Sequence, residues 1–327
     1  MNEKIKKNLN LILDEVDETY NIKILKDNLD KKEIFLYWGT TPSRIPHLLY
    51  LIPLLKIKKF VDYGINVKIL LADIHAYLDS MKSQFEVLEH RTDIHEKIIR
   101  MILIYFNTNM EKVSFVQGTS FQLSQNYTMD VYKINAHSSV TEVIEAGKNA
   151  IIQKNNPKMT TLLYPTLQAL DIEYMDADIF FGDLNQLNIC KFTDKILNKL
   201  NYRRRTYFLN EINENLLNID KISFLDTFDQ IKIKINKNSS SILFELIDYL
   251  IFDICQVKNI DIIIKDYKIT TLEEIYEKYR KKEISKNDLS EFIINIIDKI
   301  NEKIRLEFNE EDVKYKLKLA KYEEILI

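Results

Sequence analysis

The sequence predicts an α/β fold in which a parallel sheet is followed by an all-helical region. Short apolar runs typical of buried strands alternate with helical stretches up to about residue 210. The five glycines, five prolines and five histidines all lie at or before Gly182, so the composition changes there. From about Asp226 onward, apolar residues recur mainly at helical spacing. These observations predict two domains, residues 1–222 and residues 223–327.

The first part of the sequence contains a strand, a helix and a strand in succession. Glu33–Tyr37 and Asn66–Leu71 are predicted strands, and Ile45–Tyr63 is predicted to be largely a helix between them. Because parallel neighbours need a crossover connection, these segments predict a βαβ unit. The pattern continues with a long amphipathic helix Gln84–Asn107, a strand Lys112–Val116 and helical segments through Lys154.

The remaining elements complete the sheet and form the helical region. A helix is predicted after Pro157, followed by a strand, a helix and a strand at Ala177–Phe181, Gln186–Leu200 and Thr206–Leu209. Later helices have apolar faces in Ser240–Val257, Ser290–Phe308 and Glu310–Ile327. Thr271 and Ser285 are predicted N-caps, because a hydroxyl can accept from free helix amides and acidic residues follow in the first turn.

Composition and charge restrict the class of protein. The chain is 46% hydrophobic and 29% charged, as expected of a globular protein, and the net charge of -3 gives no overall attraction for nucleic acid. RNA binding would need local basic patches, such as Tyr202–Tyr207 or Lys314–Lys318, although a charge run is more often a solvated face. The first thirty residues lack a signal-peptide or transit pattern, which predicts a cytoplasmic protein with no membrane segment. Cys190 and Cys255 have no neighbouring Cys or His cluster, so we expect core packing and no metal site.

A polar face on the predicted helix after Pro157 is the most informative feature for function. Tyr164, Gln168 and Asp171 have i, i+4, i+7 spacing inside an apolar segment, so their side chains share one face. A buried phenol, amide and carboxylate cost free energy unless each has a partner. Together they could hold the ammonium group and the hydroxyl group of a small zwitterion. A core face with satisfied polar groups is the simpler alternative.

Several segments resemble the tyrosyl-tRNA synthetases of the archaeal and eukaryotic cytoplasmic type. The resemblance is carried by Tyr37-Trp38-Gly39-Thr40, Ala72–Asp79, Gly118–Leu123, Tyr127–Tyr132, Tyr164–Asp171 and Gln186. It implies a class I enzyme with a Rossmann-type catalytic domain and an α-helical anticodon-recognition domain. Such enzymes join tyrosine to ATP as tyrosyl-adenylate and transfer the tyrosyl group to tRNA(Tyr). The resemblance also implies Mg²⁺ accompanying ATP, no tightly bound cofactor, and a homodimer formed through the insertion between the two halves of the sheet.

The resemblance assigns the tyrosine-binding residues. Asp171 and Tyr37 would bind the phenol of the substrate, and Tyr164, Gln168 and Gln186 its ammonium group. His75, Phe121 and Gln122 would lie beside the substrate, with the last two lining the slot for its ring. Asp73 is expected to have a structural role as an N-cap.

The ATP-binding residues match the family less completely. Gly39, Pro42, His47, Tyr50 and Lys221 would contact ATP, with His47 as the catalytic residue at the phosphates. Arg44 stands where the family usually has glycine, and Leu49 and Tyr50 replace a small residue and a second histidine. Phe181–Asn188 keeps only one glycine and the glutamine of the corresponding family motif. The lysine-rich mobile loop expected after Asn210 is largely missing.

These departures leave more than one hypothesis open. The first is a tyrosine-tRNA ligase. The alternative is a non-catalytic, synthetase-like protein that binds tyrosine or RNA after losing the phosphate machinery. A purely structural scaffold is a third possibility, but it should show erosion of the polar pocket residues, which are retained here. Without the family context, His47 would be a packing or capping residue and Lys221 a solvated surface lysine.

Overall fold

The computed structural model describes residues 2–30, 33–79, 84–150, 157–211, 213–219, 221–308 and 311–321. They form two compact units, each assembled from three segments of the chain. The first unit consists of Met1–Ser43, Lys59–Glu96 and Asn109–Ile212. The second, the helical unit, consists of Arg44–Lys58, Lys97–Thr108 and Asn213–Ile327. The chain therefore enters the helical unit well before the predicted boundary at residue 222, and that boundary stays a prediction.

A six-stranded sheet forms the centre of the first unit. Its strands are β1 (Glu18–Tyr20), β2 (Phe35–Thr40), β3 (Asn66–Leu71), β4 (Val113–Gln117), β5 (Ile179–Asp183) and β6 (Thr206–Asn210). The strand order is β1-β6-β5-β2-β3-β4. All neighbouring strands are parallel except β1, which pairs antiparallel with β6. The predicted α/β fold with a largely parallel sheet is confirmed.

The strand order reverses at β2. Strands β3 and β4 follow on one side of β2, whereas β5 and β6 lie on the other. Open α/β sheets bind ligands outside the carboxyl ends of their strands at such a switch point. Strand β2 ends at Thr40 and β5 at Asp183, so the chain around these two residues is where a ligand site is expected.

The predicted strands are confirmed with small shifts of their bounds. Asn66–Leu71 is found as predicted, and the other four end slightly later in the chain. Strand β1 was not predicted, because three residues are too few to show an alternating pattern. It is stabilised by its pairing with β6, where Thr19 lies opposite Phe208.

Helices cover the sheet and build the second unit. Up to β6 they are α1 (Glu3–Lys7), α2 (Leu9–Asp14), α3 (Ile22–Asn28), α4 (Leu51–Asp62), α5 (Asp73–Leu78), α6 (Leu88–Tyr105), α7 (Thr119–Gln122), α8 (Gln125–Ala136), α9 (Val140–Gly147), α10 (Met159–Tyr174) and α11 (Leu187–Lys199). The remaining helices are α12 (Phe228–Asn236), α13 (Ser240–Leu246), α14 (Phe252–Lys258), α15 (Leu272–Arg280), α16 (Lys286–Phe308) and α17 (Glu311–Leu319). The predicted helices Gln84–Asn107 and Gln186–Leu200 are thus confirmed as α6 and α11. Parts of two predicted helical stretches, through Lys154 and at 310–327, lie outside the described residues.

The predicted helix Ile45–Tyr63 begins later than expected. Helix α4 starts at Leu51, after a short 3₁₀ turn at Leu48–Tyr50. His47 is therefore not on the helix: its backbone is extended, with φ -124° and ψ 173°, and it forms an antiparallel bridge with Ser223. The backbone N–H of Leu48 donates to the carbonyl of Ile222 at 2.8 Å. These contacts explain the difference, because the backbone of His47 and Leu48 pairs with Ser223 and Ile222 instead of forming a helical turn.

The helical unit also contains a hairpin that the sequence pattern did not predict. Strands β7 (Ile262–Ile264) and β8 (Tyr267–Ile269) pair antiparallel across a two-residue turn. Lys265 has φ +57° in that turn, a conformation usually taken by Asn or Gly. The Lys265-Asp266 turn therefore lacks the sequence signal of a tight hairpin. The predicted caps are confirmed, since Thr271 and Ser285 accept from the backbone N–H of Glu274 and Asp288.

Candidate active site

Strand β2 carries Tyr37 into the core of the first unit. The side chain is almost fully buried, and its ring lies 5.2 Å from that of Phe180 on β5, between ring centres. Burial raises the pKa of Tyr37 well above its usual range, and the nearby carboxylate of Asp171 adds to the effect. Tyr37 is therefore a neutral phenol at any physiological pH and can donate or accept a hydrogen bond.

Helix α10 places the three predicted polar residues on one face, as their spacing requires. Asp171 and Gln168 are buried, and Tyr164 is half-buried. Oε1 of Gln168 is buried without a hydrogen-bond partner among the described residues. An unpaired buried acceptor costs free energy, so this amide oxygen is suited to a ligand that brings a donor. The core-face alternative accounts less well for such an atom.

Asp171 is the centre of a buried hydrogen-bond network. Its Oδ1 accepts from Nε2 of Gln122 at 2.7 Å and from the hydroxyl of Tyr127 at 2.9 Å. Its Oδ2 lies 3.6 Å from Nε2 of His75. Burial raises the pKa of Asp171 to about 7, although the hydrogen bonds from Gln122 and Tyr127 lower it in part. This carboxyl group therefore changes its charge near neutral pH.

The pKa of Asp171 predicts how the stability of the free protein depends on pH. A carboxyl group whose pKa is raised on folding contributes stability at low pH, and this contribution is lost as the pH rises through the folded pKa. We expect the parent to lose stability relative to the Asp171→Asn variant as the pH rises from about 4 to above about 7. Thermal melting of both proteins across this range measures the difference. Parallel curves would contradict a buried carboxylate at this position.

His75 and Tyr164 form the other side of this network. The imidazole of His75 lies edge-on to the ring of Tyr164, with 4.6 Å between ring centres. Burial lowers the pKa of His75 to about 3, so the ring is neutral at physiological pH. The 3.6 Å contact with Asp171 is therefore not an ion pair. A neutral imidazole can act as donor or acceptor to a substrate, depending on its tautomer.

Asp73 and Gly118 hold Gln122 in place. Asp73 accepts from the backbone N–H and the hydroxyl of Thr119, at 2.9 and 2.7 Å, and so links α5 to the start of α7. The prediction that it is an N-cap is wrong, because Ala72 is the N-cap of α5 and Asp73 is the first residue of that helix. A Cβ atom on Gly118 would lie 2.5 Å from Oε1 of Gln122 and 2.7 Å from Oδ1 of Asp73. Only glycine allows this close approach of the backbone. Phe121 lies beside Gln122 on helix α7, is half-buried and stacks on the ring of Tyr174.

Gln186 lies at the end of the switch-point strand β5. Its Oε1 accepts from the backbone N–H of Asp183 at 3.1 Å, and the two residues form a reciprocal cap. The predicted ammonium ligand is therefore engaged in closing the turn after β5. A Cβ on Gly182 would lie 2.3 Å from that same oxygen, which explains the glycine.

The predicted ATP-binding residues are divided between the two units. Gly39, near the end of β2, and Pro42 belong to the first unit, whereas His47, Tyr50 and Lys221 belong to the helical unit. Within the helical unit, the rings of His47 and Tyr50 meet edge-to-face at 5.1 Å between centres. The side chain of Lys221 is exposed.

The segment after Lys221 is held firmly within the helical unit. Nζ of Lys234 donates at 2.6 Å both to the carbonyl of Lys221 and to Oδ2 of Asp226. The buried amide of Asn301 donates to the carbonyl of Ser223 at 2.9 Å. This segment is therefore anchored by α12 and α16, and through Ser223 it forms the bridge to His47.

The arginines of the basic run Tyr202–Tyr207 form ion pairs within the first unit, and RNA binding by this run stays a prediction. Each arginine is paired with carboxylates of the first unit: Arg203 with Asp176 and Asp178, Arg204 with Asp194, and Arg205 with Glu173. Arg205 is only 1% exposed. This pairing offsets the positive charge of the run, although the side chains of Arg203 and Arg204 keep 35% and 51% of their surface exposed. The partners are distant in sequence, and the charge run alone gave no sign of them.

The sequence comparisons agree with this arrangement. Residues 29–302 match the family model of the class I tRNA synthetases (W and Y). The chain belongs to this family of tryptophan and tyrosine synthetases. Its curated relatives include a probable cytoplasmic tyrosine–tRNA ligase of Encephalitozoon cuniculi, 33% identical over 94% of this chain and 97% of that protein. The cytoplasmic tyrosine–tRNA ligase of Saccharomyces cerevisiae is 32% identical over 91% of this chain and 83% of that protein.

The fold is shared with solved structures of the same family. The tyrosyl-tRNA synthetase of Archaeoglobus fulgidus, complexed with L-tyrosine, aligns with a TM-score of 0.79 at 23% identity, covering 92% of this chain and 99% of that one. The tryptophanyl-tRNA synthetase of Plasmodium falciparum aligns with a TM-score of 0.69 at 19% identity, covering 93% and 86%. No helix in the described parts of the chain is long and apolar enough to cross a bilayer.

Proposed function

We propose that this chain is a cytoplasmic tyrosine-tRNA ligase that activates tyrosine with ATP and transfers it to tRNA(Tyr). The proposal depends on the buried carboxylate of Asp171, which lies in a network of neutral phenol, amide and imidazole groups. A site built to pair a substrate hydroxyl rejects the analogue that lacks it, because its own polar groups would be left unpaired. The names of the curated relatives support tyrosine and the cytoplasm.

The roles of the pocket residues are proposed as follows. Asp171 accepts from the substrate phenol, and Tyr37 donates to it. The unpaired Oε1 of Gln168 accepts from the substrate ammonium group, together with the hydroxyl of Tyr164. Gln186 would join them by exchanging its cap on Asp183 for the ligand.

The proposed chemistry needs no covalent enzyme intermediate. An oxygen of the tyrosine carboxylate attacks the α-phosphorus of ATP, and the bond to the departing pyrophosphate breaks. Orientation of the two substrates and preorganised charges supply most of such a rate enhancement. Mg²⁺ would enter with the ATP phosphates, as part of the substrate. His47 would contact those phosphates, with Gly39, Pro42, Tyr50 and Lys221 as the remaining proposed ATP contacts.

The helical unit is proposed to recognise tRNA. A groove of about 410 Å³ lies beside the β7–β8 hairpin and helix α16. Its lining includes the ring of Phe292, the amide of Asn295 and the cations of Lys265 and Lys299, together with three carboxylates, those of Asp261, Asp288 and Glu291. The acidic groups outnumber the lysines, so the groove does not suit a phosphate, whereas a ring and hydrogen-bonding groups suit an unstacked base.

A homodimer is proposed through the insertion between β4 and β5. Leu123, Met129, Tyr132 and Val140 lie in this insertion and are each at least half-exposed. Large apolar side chains that are left exposed can belong to a protein interface.

Tyrosine-dependent exchange of pyrophosphate into ATP, with Mg²⁺ present, tests the proposed function. We expect exchange to be measurable but slow, because the lysine-rich loop that stabilises the leaving pyrophosphate is missing. Phenylalanine in place of tyrosine is the control and should support no exchange. A protein that binds tyrosine but shows only background exchange would instead be the non-catalytic alternative.

A further inference from the structure

Tyr127 is a buried tyrosine whose hydroxyl has two acceptors and one hydrogen to donate. It is 1% exposed, and its hydroxyl lies 2.9 Å from Oδ1 of Asp171 and 2.9 Å from the carbonyl of Leu167. A phenol can donate to only one of them at full strength. The ionised carboxylate is the stronger acceptor, because hydrogen bonds to charged groups are shorter and stronger.

The hydrogen bonds to Asp171 are distributed unevenly between its oxygens. Both Gln122 and Tyr127 donate to Oδ1. Oδ2 faces His75 across 3.6 Å, which is longer than a hydrogen bond. Two donors on Oδ1 fix the orientation of the carboxylate and leave Oδ2 as the oxygen that can accept from a substrate.

We propose that Tyr127 is a specificity-determining positioning residue, which holds the Asp171 carboxylate in the orientation that leaves Oδ2 to accept from the phenol of tyrosine. The inference rests on the proposed function, since it assigns Asp171 to the substrate hydroxyl. Tyr127 acts through Asp171 and contributes to the choice of tyrosine over phenylalanine.

The other groups around Asp171 determine how the effect depends on pH. The groups that interact with the Asp171 carboxyl group by charge, hydrogen bond or contact are Tyr37 on β2, Asp73 and His75 on α5, Gln122 on α7, Tyr127 on α8 and Tyr164 on α10. Burial raises the pKa of each of the three tyrosines and lowers that of His75, so all four are neutral near pH 7. The hydrogen bond from Tyr127 lowers the pKa of Asp171, so its removal should raise that pKa.

The test is the Tyr127→Phe variant, with Tyr174→Phe as the matched control. Tyr174 belongs to the same aromatic cluster, with its ring 4.8 Å from that of Tyr127, but its hydroxyl donates to Asp130 at 2.8 Å. Each variant therefore removes one hydroxyl, and only the first removes a donor to Asp171. Calorimetry gives the affinities for tyrosine and phenylalanine across neutral pH, and thermal melting checks that both variants fold.

We expect Tyr127→Phe to reduce the preference for tyrosine by about tenfold, the effect of losing one hydrogen bond to a charged group. The pH at which the preference develops should move upward, whereas Tyr174→Phe should leave it in place. A loss of packing alone would not move this midpoint. If Tyr127→Phe does not fold, the pH dependence of the parent protein provides the test. The preference of the parent for tyrosine over phenylalanine should rise as the pH passes through about 7. A preference that does not change with pH overturns the inference.

The possible failures are distinguishable. A parent that discriminates tyrosine from phenylalanine, with an unchanged ratio and midpoint in Tyr127→Phe, overturns the inference and leaves the proposed function standing. A parent that binds tyrosine and phenylalanine equally overturns both.

Discussion

Replacing Asp171 with alanine should remove most of the preference for tyrosine over phenylalanine. The carboxyl group is 1% exposed, and above about pH 7 it is the ionised acceptor proposed for the substrate hydroxyl. Losing one buried hydrogen bond to a charged group costs about 1.5–3 kcal/mol, which corresponds to roughly 10- to 150-fold in affinity. Calorimetric titration with both amino acids measures the change.

Phenylalanine provides the internal control for Asp171→Ala. The affinity of Asp171→Ala for phenylalanine should equal or exceed that of the parent, because the variant has no carboxylate that would be left unpaired when phenylalanine binds. Asp171→Asn keeps the size of the side chain and should retain an intermediate preference. A parent protein with equal affinity for the two amino acids would rule out this pocket as the tyrosine site.

Replacing His47 with alanine should reduce tyrosine-dependent pyrophosphate exchange by about a hundredfold or more, the usual effect of removing one preorganised donor at a developing charge. The expected effect is large because the mobile lysine-rich loop is missing, which leaves His47 as the main proposed phosphate contact. Exchange rates at saturating tyrosine and varied ATP, with Mg²⁺ present, measure it.

Tyrosine affinity separates a catalytic defect from a structural one. His47→Ala should bind tyrosine as the parent does, since the pocket residues belong to the first unit and His47 to the helical unit. Lys221→Ala should cause a smaller decrease, because its side chain is exposed, and Lys232→Ala on an exposed face of α12 should have no effect. An unchanged exchange rate in His47→Ala would exclude a role at the phosphates.

The sequence predicted the elements whose signals are local. Strand Asn66–Leu71 was predicted to the residue, because Val67, Ile69, Leu70 and Leu71 give a strongly apolar segment that follows the turn at Gly64. The polar face of α10 was also predicted, since helical spacing alone brings Tyr164, Gln168 and Asp171 together. The family resemblance extended this pocket to residues that are far apart in sequence.

The features that sequence reasoning missed depend on contacts between distant segments. Tyr127 lies in a segment that resembles the family, but the sequence does not show its role in the site, because its partner Asp171 is 44 residues away. The ion pairs of the arginines at 203–205 are not visible in the sequence, because their carboxylate partners lie on other elements. The run therefore looks like a free basic patch in the sequence alone. His47 was placed on a helix, whereas its bridge to Ser223 holds it extended.

The bridge between His47 and Ser223 limits where a hybrid of this protein and a relative could be joined. Residues 44–58 and 97–108 belong to the same compact unit as the chain after residue 213. A hybrid joined at a single point near residue 222 would combine His47 from one parent with Ser223 from another. Recombination that preserves the packing would have to transfer both internal segments together with the carboxyl-terminal helices. The three segments of the helical unit are therefore constrained to change together, even though two of them lie within the part of the chain order that suggests a separate module.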